Sequence, residues 1–87
     1  MLIPAILAGC VAAGARVEVV GNLGEEEFLR LRAGPSLGYV ARLGLPAGTR
    51  MIRRDCVTEL GQLWCRVALA EAPSVTGYVS ADYLVGP

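Results

Sequence analysis

Three cysteines, eight arginines and eight carboxylates are the side chains of this sequence best able to do chemistry, and no histidine accompanies them. Without histidine the chain lacks the commonest general base, the commonest metal ligand and every Ser-His or Cys-His nucleophile pair. Cys10, Cys56 and Cys65 contain no C-x-x-C spacing, and three thiols are too few for a closed tetrahedral zinc site. No metal and no cofactor is therefore expected. Acid/base chemistry needs two carboxyl groups facing each other across a cleft, for which Glu25, Glu26, Glu27, Asp55, Glu59, Glu71 and Asp82 are the candidates. The Glu25-Glu26-Glu27 run reads better as a solvated loop, because adjacent like charges repel and water relieves the repulsion. The expectation is a protein that is not an enzyme.

The chemistry that remains is that of sulfur. Thr49 to Leu69 reads as one antiparallel hairpin turning near Leu60-Gly61. That centring sets Cys56 opposite Cys65, Arg54 opposite Val67 and Ile52 opposite Leu69, with Val57 facing Trp64 and Asp55 facing Arg66 on the other side. Directly opposed β-carbons are close to the separation a disulfide needs, so Cys56 and Cys65 can be bridged. The alternative is a pair of buried free thiols. A bridge closing a loop of about ten residues would stabilise by about 2.5 to 3 kcal/mol, and it requires an oxidising compartment. The weak point of this register is Leu at the first position of a two-residue primed turn.

The elements that carry these residues are short. From Arg16 onward, alternating runs are separated by Gly and Pro, and no stretch keeps a helical period over three turns. Candidate strands are Arg16 to Val20, Phe28 to Arg32, Tyr39 to Leu43, Thr49 to Val57, Leu63 to Leu69 and Gly77 to Ser80, with a break at Ala72-Pro73 among others. In Phe28 to Arg32 the leucines alternate with arginines, which turns Leu29 and Leu31 to the core and both guanidinium groups outward. Ala41, Leu43 and Leu45 alternate likewise. The expected fold is all-β, a small barrel of five or six short antiparallel strands.

Residues 1–15 are different in kind. Met1 to Ala15 carries no charge and no aromatic ring and ends in Ala13-Gly14-Ala15, the small-residue pattern that signal peptidase accepts. It is short for a bilayer span, which takes about twenty residues. Leu7-Ala8-Gly9-Cys10 resembles a lipoprotein signal and makes Cys10 a candidate for lipidation. Against both readings, no basic residue precedes the apolar stretch, and the plain alternative is an apolar element packed on the barrel. Residues 16–87 then form the single domain that 87 residues can support, and a domain this small buries only about 60% of its unfolded surface. Equal numbers of basic and acidic residues suggest neither a nucleic-acid surface nor a disordered tail.

Four motifs in order resemble those of the bacterial SH3 (Src homology 3, SH3b) family. They are Leu29 to Ser36, Leu45-Pro46-Ala47-Gly48-Thr49, Trp64-Cys65-Arg66-Val67 and Gly77-Tyr78-Val79-Ser80, followed by Tyr83-Leu84. The resemblance covers about Arg16 to Val85 and implies an SH3-like barrel. Family members from Gram-negative bacteria often carry a Cys before the hairpin turn and Trp-Cys-Arg-Val after it, which supports the Cys56–Cys65 pairing. Ala70 to Thr76 departs from the pattern and reads as an excursion. The resemblance implies a non-catalytic, extracytoplasmic module of the periplasm or cell envelope that binds a peptide or peptidoglycan component, or an envelope protein. Tyr39, Trp64, Tyr78 and Tyr83 are its candidate ligand-binding residues, because Tyr and Trp combine apolar area with a polar tip. The alternative is a structural or assembly element, a small lipoprotein anchored to the membrane by a lipid on Cys10.

Overall fold

The computed structural model describes residues 16–25 and 28–86. The leader, the possible lipidation site at Cys10 and two members of the acidic run, Glu26 and Glu27, lie outside the described residues.

Seven antiparallel strands form one sheet that curls into a half-barrel: β1 (Arg16–Val20), β2 (Leu29–Arg32), β3 (Ala41–Leu45), β4 (Arg50–Glu59), β5 (Gln62–Leu69), β6 (Ala72–Ser80) and β7 (Leu84–Val85). Their spatial order is β3-β2-β6-β5-β4-β1-β7. The all-β reading holds. The count exceeds five or six because two-residue β7 adds a strand after the single-turn 3-10 helix Ala81–Tyr83, pairing with the end of β1.

Alternation sets the core. Leu29 and Leu31 of β2, Met51 of β4, Cys65 and Val67 of β5 and Val79 of β6 are buried together on the concave face with Val20 and Leu45. Arg30 and Arg32 point the other way, as their positions between the leucines require. Of the run Ala41, Leu43 and Leu45, only Leu45 is buried, because β3 is the edge strand and its outer end has no further strand to lie against.

The β4–β5 hairpin follows the expected register as far as the cysteines and then departs from it. Glu59 pairs with Gln62, Val57 with Trp64 and Cys56 with Cys65, around a two-residue turn with Leu60 at φ 51° and Gly61 at φ 81°. Beyond Cys56 the ladder shifts: Arg53 pairs with Val67 and Ile52 with Ala68, not Arg54 with Val67 and Ile52 with Leu69. A bulge sets Arg54 and Asp55 together against Arg66, so one strand gains a residue and every later partner moves by one. The shift keeps Met51 on the concave face, where it is fully buried. The Asp55–Arg66 pairing survives as an ion pair, with Arg66 Nε and Nη2 both donating to Asp55 Oδ1 at 2.9 and 2.6 Å.

The expected break at Ala72-Pro73 is also corrected. Ala72 pairs with Leu69 across a tight turn, and β6 runs on unbroken in secondary structure to Ser80. The irregularity lies between Leu69↔Ala72 and Ala68↔Thr76, where Pro73, Ser74 and Val75 have no partner on β5. A proline without an N–H costs little in such an unpaired stretch, and Val75 turns inward onto the core.

Candidate functional site

A groove crosses the convex side of the sheet between two projecting pieces of chain. One wall is the tip of the β4–β5 hairpin, and the other is the connection from β2 to β3, residues 33–40. Two adjoining cavities of about 420 and 190 Å³ share Leu37, Trp64, Ser80 and Tyr83 in their lining, so they form one continuous depression.

Each wall is held by local bonds. In the 33–40 connection Ala33 N donates to Val40 O at 3.0 Å, Tyr39 N to Ser36 O at 3.3 Å and Gly38 N to Ser36 Oγ at 3.1 Å, which closes the loop on itself. Arg32 Nη1 donates to Tyr39 O at 3.1 Å and ties the loop to the end of β2. This leaves Leu37 at its crest, 75% exposed. The facing wall is the primed turn, whose Leu60 is 99% exposed. Two large aliphatic side chains thus stand in water on opposite sides of a cleft floored by an indole.

The floor is set by β5 and β6. Trp64 projects to the convex face, opposite Ser80, and is only 5% exposed. Gln62 Nε2 donates to Ser80 Oγ at 2.9 Å. The same oxygen accepts from Asp82 N at 3.3 Å and caps the 3-10 helix that carries Tyr83. Ser80 therefore links the hairpin tip, the floor and the helix, and it fixes the relative position of Trp64 and Tyr83. Tyr83 also packs against the core from its outer edge.

Of the four aromatic residues expected to bind ligand, the fold brings Trp64 and Tyr83 together in this groove. Tyr39 lies on the loop with its ring stacked over Gly34, where an added β-carbon would fall 2.6 Å from the ring. Tyr78 sits further along the convex face, with Arg32 and Arg66 as cross-strand partners on either side. Both lie outside the groove lining.

Among the residues not singled out from sequence, Leu37, Leu60 and Phe28 line the groove as exposed apolar side chains. Leu37 and Leu60 stand alone in turns and gave no periodic signal, while Phe28 was read only as the start of an alternating strand. Glu18 was also missed. Its carboxylate is largely buried on the concave face of β1, with Arg53 Nε 3.5 Å from Oε1 and Arg16 Nη2 3.9 Å from Oε2, and Oε1 accepts no hydrogen bond.

The cysteine pair is joined: Cys56 and Cys65 form a disulfide with Cα atoms 4.0 Å apart. It lies at the base of the hairpin tip that makes one groove wall, and it is compatible with a location outside the cytoplasm.

Comparison with known proteins places the chain in no group. No family model matches it, and neither a curated protein nor a solved structure shows significant similarity.

Proposed function

We propose that this protein is a non-catalytic binding module of the bacterial SH3 type, acting outside the cytoplasm in the periplasm or cell envelope, and that it holds an extended peptide in the groove over Trp64 and Tyr83. The observation that carries the reading is the pairing of two exposed leucines, Leu37 and Leu60, across a cleft floored by a buried tryptophan. Exposed aliphatic side chains facing one another over a buried aromatic floor give up water when an apolar ligand enters. The sequence motifs from Leu29 to Tyr83 support the family, and the Cys56–Cys65 bridge supports an oxidising compartment.

Trp64 is the sole tryptophan of the chain, so its emission reports directly on the groove. Titration with purified peptidoglycan and with soluble stem peptides should shift Trp64 fluorescence saturably, and Leu60→Ser should weaken that response. A flat titration with both, together with a lipid on Cys10 of the native protein, would replace this reading with that of a structural envelope lipoprotein.

A further inference from the structure

The groove is electrically polarised along its length. Its larger cavity, at the hairpin end, is lined by the acidic residues Glu59 and Asp82, and among the described residues no basic residue lines it. The smaller cavity, at the β2 end, is lined by Arg30 and Arg32, and among the described residues no acidic side chain lines it. Trp64 and Tyr83 belong to both and form the apolar middle.

Resting on the peptide-binding reading above, we propose that the ligand is a dipolar peptide: an alkylammonium group lies at Glu59 and Asp82, and a carboxylate lies at Arg30 and Arg32. Charge complementarity gives the orientation. An ammonium at the hairpin end meets two carboxylates. Its alkyl stem lies between Leu37 and Leu60, as lysine stems lie along apolar surfaces while the charged head stays wet. A carboxylate at the other end meets a guanidinium fork, whose geometry matches two oxygens at once. The reversed peptide would place like charges together at both ends, so the groove selects one direction.

The experiment uses the full chain with its disulfide intact and reads Trp64 fluorescence. The probe is a tetrapeptide with an acetylated N-terminus, Lys at its first position, an apolar middle and a free C-terminal carboxylate. Two controls differ by one charge each: the Lys acetylated on its side chain, or the C-terminus amidated. Each neutralisation should weaken binding by about tenfold, the size of one charge-assisted contact. The penalty for acetyl-lysine should disappear in the Glu59→Gln/Asp82→Asn variant, and the penalty for amidation should shrink in Arg30→Gln. All three side chains are exposed, so the variants should fold, which circular dichroism checks. Equal saturable binding of all three peptides would overturn the polarity and leave the groove as a peptide site. Absence of saturable binding by any of them overturns the groove reading with it.

Discussion

Cys56 and Cys65 are direct cross-strand partners joined through sulfur, yet Cys65 is fully buried in the core while Cys56 stands at the surface. The bond thus fastens the exposed, outermost part of the β4–β5 hairpin to the concave core. Its loss should lower stability by about 2 to 3 kcal/mol, from the chain entropy released in the unfolded state. Urea denaturation with and without a dithiol reductant measures this. An unchanged midpoint would show that the hairpin holds its register without the bond.

Gly77 and Gly34 should respond very differently to alanine. A β-carbon on Gly77 would meet Leu31 Cγ at 2.6 Å and the backbone oxygen of Arg32 at 2.8 Å, and backbone cannot swing aside. Gly77→Ala should cost about 1 to 3 kcal/mol or more by overpacking. On Gly34 the obstacle is the ring of half-exposed Tyr39, which can rotate into water, and the cost should be about 1 kcal/mol. Thermal unfolding of the two variants side by side provides the comparison.

Leu60 holds a left-handed backbone at φ 51° with its side chain fully in solvent. A β-carbon is strained there, and asparagine tolerates the region far better. Leu60→Asn should therefore stabilise the fold by about 0.5 to 1 kcal/mol and at the same time weaken peptide binding, since it removes a groove wall. Opposite signs in the melting temperature and in the Trp64 titration are the expected signature, and loss of both would count against a role for Leu60 in binding.

Trp64 and Leu37 separate packing from recognition. Trp64→Ala should cost about 3 to 5 kcal/mol, a large share of the stability of so small a domain. Leu37→Ser touches an exposed crest and should change stability by no more than about 0.5 kcal/mol, while lowering affinity for peptide. Calorimetric titration of Leu37→Ser, with its melt as control, distinguishes the two roles.

Asp55 should give the hairpin a small dependence on pH. The hydrogen bonds from Arg66 hold its carboxyl below the ordinary carboxylate value, so the folded state binds its proton less readily than the unfolded state. The stabilisation is present above the ordinary carboxylate pKa of about 3.9 and is lost as the pH falls through the lower folded value. The wild type and Asp55→Asn should differ slightly at neutral pH and converge in acid. The pair is exposed, so the difference should also shrink in high salt. Melting temperatures at neutral and acidic pH, in low and high salt, test both statements.

The all-β class, most strand positions, the inward leucines of β2 and the opposition of Cys56 to Cys65 are legible in the amino-acid order. These are local matters: side-chain alternation has a period of two, Gly and Pro mark the turns, and a hairpin turn sets its own register for the next few pairs. Tertiary structure alone decided the bulge at Arg54-Asp55. A hairpin centred on Leu60-Gly61 continues without interruption on paper, and only the need to keep Met51 in the core shows where one residue must be absorbed. It also decided the site. Four aromatic residues are candidates in sequence, with Trp64 and Tyr78 ahead of Tyr39 and Tyr83, but Trp64 and Tyr83 meet because Ser80 links β5 to the 3-10 helix, while Tyr39 and Tyr78 lie elsewhere on the surface. The groove walls, Leu37 and Leu60, come from turns far apart in the chain. No periodicity marks a residue whose role is to stand opposite another across folded space.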